Sequence, residues 1–118
     1  MTDEAAHLSI TESNDVRIVE FADRKILEEL SISEIGDELA RLIEGESGVR
    51  LLLNFKNVEH LSSAALGMLI TLNRKISEQS GTLKLSDISP QIYEVFKITR
   101  LNKLFDIYDT SEQALASF

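Results

Sequence analysis

The amino-acid sequence predicts an α/β protein with a mixed sheet of four to five strands and three to four helices. Short alternating or apolar segments of strand length recur along the chain, and the later ones are each followed by apolar residues at helical spacing. Turn-forming residues, among them Ser80-Gly81 and Ser89-Pro90, separate the later segments. This order predicts parallel strand–helix–strand crossovers after an antiparallel first pair of strands.

The size of the chain predicts one domain. A length of 118 residues matches a folding unit of roughly 100–150 residues. The hydrophobic content of 43% is sufficient to fill a single core. We therefore predict a single domain over residues 1–118, in which residues 1–14 form a flexible or poorly ordered start.

The first half contains one clear strand, one weaker strand and one helix. Residues 15–22 alternate in the manner of a strand with a buried face, whereas residues 24–29 contain only one apolar pair and predict a short second strand. Residues 31–44 carry an apolar stripe at helical spacing. Ser31 and Glu34 match a capping box at the start of that helix.

In the second half, a strand is followed by a helix three times. The first of these strands is almost wholly apolar, which is typical of a strand covered on both faces and predicts a central place in the sheet. The last two helices start with N-cap residues, Ser89 before a proline and Thr110 in a capping box with Gln113. The predicted strands are residues 50–55, 82–88 and 103–108, and the first of the helices is residues 62–77.

Composition excludes several classes of protein. Twelve basic and twenty acidic residues give a net charge of -8, which disfavours binding to nucleic acid. The absence of cysteine excludes disulfides and thiolate chemistry and permits the cytosol. The most apolar run, residues 64–72, is too short to cross a bilayer, and the acidic start lacks the features of a secretory signal. We expect a cytoplasmic protein without membrane insertion, metal or cofactor.

The most informative segment is the junction between the apolar strand and the helix that follows it. Ser62 and Ser63 stand at the predicted start of this helix, where free N–H groups and the helix dipole point outward. A phosphate on either serine would add negative charge beside the positive end of the dipole and so provide a workable switch. Serine is also a preferred N-cap, and one of the pair could have that structural role alone.

The run Ser62-Ser63-Ala64-Ala65-Leu66-Gly67 resembles a motif of the STAS domain in bacterial anti-sigma factor antagonists, where an acidic residue and two hydroxyl residues precede Gly-Leu-Gly at a helix start. Leu66-Gly67 sets the register of this match. The resemblance extends over residues 51–118 and includes Gly81 before the next strand and Ser89-Pro90 before the next helix. It implies the STAS-like fold described above.

The resemblance also implies a function. Ser63 corresponds to the serine that kinases of this system phosphorylate, and Ser62, which stands in place of the usual Asp, becomes a second candidate acceptor. Ala64 and Ala65 replace the second hydroxyl residue and a glycine. The implied partners are an anti-sigma factor with serine kinase activity and a serine phosphatase. The implied partner-binding residues are Ser62, Ser63, Ala64, Leu66 and Gly67.

Two alternatives remain open. A STAS domain can also be a scaffold or a transporter-associated subunit that is not phosphorylated, and the missing Asp favours this alternative somewhat. A small hydrolase with Ser63 as nucleophile would need a placed base, and His60 in the same short loop does not form a triad by its spacing. We expect no enzymatic activity. His7 is predicted to lie in the disordered start, and Phe96, Phe105, Tyr108 and Phe118 are predicted to fill the core.

Overall fold

The computed structural model describes residues 7–118, which form the predicted mixed α/β fold. Its main sheet has the strand order β1-β2-β4-β6-β7, and a separate two-stranded ribbon pairs β3 with β5. β1 is antiparallel to β2, and the other pairs of the main sheet are parallel. The strands are β1 Leu8–Ser13, β2 Val16–Phe21, β3 Lys25–Ile26, β4 Arg50–Asn54, β5 His60–Leu61, β6 Thr82–Ser86 and β7 Asp106–Tyr108. The helices are α1 Glu29–Ile43, α2 Ser63–Glu78, α3 Pro90–Ile98 and α4 Ser111–Ala116, with a 3-10 turn at Leu101–Lys103.

The edge hairpin corrects two expectations about the start of the chain. Leu8–Ser13 is an ordered strand, so the predicted flexible start over residues 1–14 is wrong for this part, and residues 1–6 lie outside the described residues. Asn14 and Asp15 both have positive φ, 50° and 67°, and form the two-residue turn that matches the twist of an antiparallel pair. The antiparallel first pair is therefore confirmed, but it joins β1 to β2.

The predicted second strand, residues 24–29, is much shorter and has a different partner. Only Lys25–Ile26 is a strand, and it pairs in parallel with β5 instead of with β2. Ile26 is buried while Lys25 is exposed, so the pairing anchors the chain by one apolar side chain. This ribbon places the segment after β2 beside the start of α2.

The main core forms between the sheet and three helices. Leu51 and Leu53 of β4 face this side and share their core with residues of α1, α2 and α3. Leu52 faces the opposite side, where it packs with Val16 and with Ala114 of α4. The central position predicted for this strand, with both faces covered, is therefore confirmed.

The observed helix starts agree with the predictions at α3 and α4 but not at α1. Ser89 and Thr110 cap α3 and α4 by accepting backbone N–H bonds of 3.3 Å and 3.2 Å. The capping box at Ser31 is wrong, because Ile32 N–H already donates to Glu28 C=O and α1 begins at Glu29.

The last strand and the aromatic side chains show the same partial agreement. The last strand contains only Asp106–Tyr108, because the chain before it forms the 3-10 turn. Phe96 and Phe105 are core residues, whereas Tyr108 and Phe118 are half-buried beside α4.

Gly81, in the turn between α2 and β6, packs closely against Val49 and Ile76. A Cβ at this position would lie 2.6 Å from the Val49 carbonyl oxygen and 2.9 Å from Ile76 Cγ2. We expect Gly81→Ala to lower the free energy of unfolding by about 1–3 kcal/mol through overpacking. In the matched control Gly67→Ala, the new Cβ meets nothing within 4 Å, and we expect a gain of about 0.5–1 kcal/mol from helix propensity. Urea unfolding of both variants measures the difference, and equal midpoints would contradict this packing.

Candidate functional site at the start of helix α2

The start of α2 is held by main-chain hydrogen bonds to the β3–β5 ribbon. Lys25 lies opposite His60 and Ile26 lies opposite Leu61 in the parallel register. Ser62 N–H then donates to the Ile26 carbonyl at 3.1 Å, which extends the ribbon to the N-cap residue of α2. The position of the candidate site therefore depends on a segment that is distant in sequence.

Arg24 fixes the other end of the ribbon with both its main chain and its side chain. Its carbonyl accepts the N–H groups of Glu59 and His60 at 2.7 Å and 3.1 Å. Its guanidinium donates to both oxygens of Glu59, at 3.0 Å and 3.3 Å. This hydrogen bonding and the adjacent positive charge lower the pKa of the Glu59 carboxyl. The pair is exposed, so its main effect is to orient the loop rather than to stabilise the fold.

The two serines at the helix start have different structural positions. Ser62 is the N-cap of α2, and its hydroxyl oxygen accepts the Ala65 N–H at 3.2 Å. Ser63 is the first residue of the helix and is exposed, and its hydroxyl makes no hydrogen bond within residues 7–118. The capping role considered for one serine is confirmed for Ser62.

Four of the five predicted partner-binding residues lie at the surface. Ser62 is half-buried, and Ser63, Ala64 and Gly67 are exposed. Leu66 is only 7% exposed and packs in the main core, so it anchors α2 to the core and is not part of the surface. Because residues four apart lie on one face of a helix, Ser63 and Gly67 are neighbours on the exposed face of α2. We call this pair of positions the crest.

A groove of about 350 Å³ runs along this crest between α1 and α2. Small side chains line much of it, and a Cβ on Gly36 would lie 3.2 Å from Met68 Cγ, so the two helices approach closely there. The small residues are Ser33, Gly36 and Ala40 on α1 and Ala64, Gly67 and Thr71 on α2. The groove therefore runs beside Ala64 and Gly67 of the predicted partner-binding residues.

The electrostatics of the helix start favour an added negative charge. The first turn of α2 contains no acidic residue, so its unpaired N–H groups and the positive end of its dipole are not neutralised within the helix. The nearby carboxylate of Glu59 is neutralised by Arg24. No carboxylate in the first turn of α2 would repel a phosphate on Ser63.

The structure does not assemble a hydrolytic or metal site from the predicted residues. His60 is exposed on β5, and within residues 7–118 it forms no hydrogen bond with Ser63. In the same part of the chain, no cluster of His, Asp and Glu could hold a metal ion. Also in this range, the helices are too short or too polar to cross a membrane.

One charged cluster was missed by the sequence analysis. His7 is not in a disordered segment, because its ring bonds Asp23 at 2.7 Å and Glu34 at 3.0 Å. The sequence signal that could have found it is the turn at Asn14-Asp15, since recognition of β1 would have placed His7 beside the end of β2.

A comparison against protein-family models agrees with the fold. The model of the STAS domain matches residues 8–114. The chain belongs to the STAS domain family. This result confirms the resemblance carried by Ser62-Ser63-Ala64-Ala65-Leu66-Gly67 and extends it across β1, β2 and α1 of this STAS domain.

Sequence relatives of this STAS domain include two named anti-sigma factor antagonists. The anti-sigma-B factor antagonist of Bacillus subtilis is 33% identical over 67 residues, which cover 57% of this chain and 62% of the relative. The anti-sigma F factor antagonist of Paenibacillus polymyxa is 26% identical over 65 residues, which cover 55% and 56%. The chain thus spans less than two thirds of either relative's length.

Solved structures with this fold carry names of more than one kind. An anti-sigma-factor antagonist (STAS) domain protein from Planctomyces limnophilus superposes with a TM-score of 0.86 at 22% identity, over 95% of this chain and 97% of that chain. A sulfate transporter family protein from Wolinella succinogenes gives a TM-score of 0.73 at 15% identity, over 91% and 87%. At these identities the likeness shows the fold alone.

The distinct positions of the two serines predict distinct stabilities for their alanine variants. Ser62→Ala removes the N-cap acceptor, and we expect the free energy of unfolding to fall by about 1 kcal/mol. Ser63→Ala removes an exposed hydroxyl that has no partner among the described residues, and it should change the free energy of unfolding by less than about 0.5 kcal/mol. Chemical denaturation of both proteins tests this order, and a larger loss in Ser63→Ala would refute the assignment of the cap.

Proposed function

We propose that this STAS domain is an anti-sigma factor antagonist that binds its anti-sigma factor through the start of α2. The observation that carries the proposal is the exposed Ser63 hydroxyl, which forms no hydrogen bond with any of residues 7–118, while its neighbour Ser62 caps the helix. The names of the two sequence relatives support this general role. The crest of Ser63 and Gly67 and the adjacent Ala64 form the contact surface.

Phosphorylation of Ser63 is the proposed control of binding. The anti-sigma factor, acting as a serine kinase with its own ATP and magnesium, transfers the phosphate, and a serine phosphatase removes it. The phosphate leaves α2 intact, because the helix dipole favours a negative charge at this end. It weakens binding, because an unpaired dianion in an interface loses its hydration.

The hydrogen bonds favour Ser63 over Ser62 as the acceptor. The Ser62 oxygen already accepts the Ala65 N–H, and its esterification would disturb the cap. Ser63 has no such contact within the described residues and is more exposed. Ser62 thus preserves the helix start while Ser63 carries the switch.

This mechanism describes a cytoplasmic binding module rather than an enzyme. The catalytic groups belong to the kinase and the phosphatase, and the domain supplies a surface and a hydroxyl. The net charge of -8 favours a protein partner over nucleic acid.

A second candidate is a STAS subunit that acts as a scaffold or as part of a transporter without phosphorylation. The similarity in fold to the sulfate transporter family protein and the presence of Ser62 in place of Asp favour it. In this case the same crest binds its partner at all times. The two candidates differ in whether a charge at Ser63 changes binding.

Charge at Ser63 therefore provides the decisive experiment. We expect Ser63→Ala to bind the anti-sigma factor of the same cells as tightly as the wild type, and Ser63→Glu to bind more than about 100-fold more weakly. Calorimetry measures both affinities. Mass spectrometry after incubation with that factor and ATP locates the phosphate.

The matched control for Ser63→Glu is Ser77→Glu, which adds the same charge at an exposed position near the other end of α2. It should bind as the wild type does. Equal affinities of Ser63→Ala and Ser63→Glu, with no phosphate on Ser63, would exclude the switch and favour the constitutive subunit.

Gly67 tests the extent of the contact surface independently of phosphorylation. A Cβ at Gly67 would meet no atom of residues 7–118 within 4 Å, so Gly67→Leu should fold normally and project into the proposed interface. We expect at least about a tenfold loss of affinity from steric overlap, because interfaces pack as densely as protein interiors. Ser77→Leu is the control. Unchanged binding of Gly67→Leu would place the interface elsewhere.

A further inference from the structure

The His7 side chain lies between two carboxylates on different elements. Its Nδ1 lies 2.7 Å from Asp23 Oδ2, on the segment that follows β2, and its Nε2 lies 3.0 Å from Glu34 Oε1 on α1. The ring is 15% exposed. Within residues 7–118, these two carboxylates are the charged groups that act on the ring from the elements packed against it.

This geometry requires a protonated ring. A neutral imidazole has one N–H group and one lone pair, whereas an ionised carboxylate can only accept. Both bonds therefore form together only when both nitrogens of His7 carry a proton. Consistent with this, the hydrogen bond that the His7 ring donates to Glu34 raises the pKa of His7 above the ordinary 6.5, burial opposes the rise, and Asp23 adds to it.

A short chain of bonds connects His7 to the start of α2. Asp23 is followed directly by Arg24, whose carbonyl accepts the N–H groups of Glu59 and His60. Two residues later, the Ile26 carbonyl accepts the Ser62 N–H. A shift of Asp23 would therefore also displace the residues that pair in the β3–β5 ribbon.

We propose that His7 is a pH-dependent latch that fixes the β3–β5 ribbon and, through it, the start of α2. With His7 protonated, α1 and the segment before β3 are both bound to the ring. With His7 neutral, one of the two carboxylates faces a lone pair and is released, and the ribbon loosens. The latch acts within the free protein and does not depend on the proposed anti-sigma partner.

The direction of the effect follows from the direction of the pKa shift. A group whose pKa is raised by folding stabilises the native state fully below its unfolded value, here 6.5. That stabilisation is lost as the pH rises through the higher value of the folded state. Alkaline solution should therefore loosen the ribbon.

Amide hydrogen exchange followed by NMR tests the latch. The probes are the amides of His60 and Ser62, which donate across the ribbon, and the amide of Ala114, which donates to Thr110 within α4 on the other face of the sheet, serves as the reference. Between pH 5.5 and 8.5, protection at His60 and Ser62 relative to Ala114 should fall about tenfold in the wild type, as expected for the loss of one charge-assisted hydrogen bond. His7→Gln should show the lower protection at every pH.

A second variant keeps the test independent of any general loss of stability. Glu34→Gln retains an amide oxygen at the same place but removes the charge, so the His7 ring should titrate at a lower pH than in the wild type. The His60→Gln variant assigns the two histidine signals. A wild-type His7 that titrates at 6.5 or below would overturn the latch. Relative protection that does not change with pH while His7 titrates would also overturn it.

Discussion

The burial of β4 on both faces is the constraint on which the rest of this structure depends. Leu51 and Leu53 require a cover of helices on one side, and Leu52 requires one on the other. Parallel crossovers supply the first cover, and they place the N-termini of α1 and α2 at the carboxyl ends of β2 and β4. The exposed crest at Ser63 lies where it does because the strand before it is central.

The parts of the fold that depend on local pattern could be predicted from the sequence. The central strand, the apolar faces of α1 and α2, and the caps of α3 and α4 arise from side-chain periodicity and from residues within a few positions of each other. The exact start of α1 was missed, because Ser31 is a residue type that favours an N-cap, whereas the observed N-cap is Glu28, three residues earlier. Residue type alone does not decide between adjacent starting points for a helix.

Contacts between distant segments could not be predicted in the same way. The pairing of β3 with β5 involves two residues on each side and is fixed by three-dimensional closure of the chain, not by a local pattern. The same holds for His7, whose partners are 16 and 27 positions away. The motif placed the candidate site at the start of α2, whereas the ribbon that positions this segment was visible only in the structure.

Ser62 stands where the motif that this segment resembles usually has Asp. It keeps the capping role of that position but does not carry a negative charge. Ser and Asp are about equally good N-caps, so a serine there can accept the Ala65 N–H and keep α2 in place. What changes is the electrostatic environment of Ser63, since the first turn is left without a carboxylate. The unmodified surface becomes less negative, and a phosphate on Ser63 would not be repelled by an adjacent acid. A serine at this position is therefore compatible with the proposed phosphorylation switch.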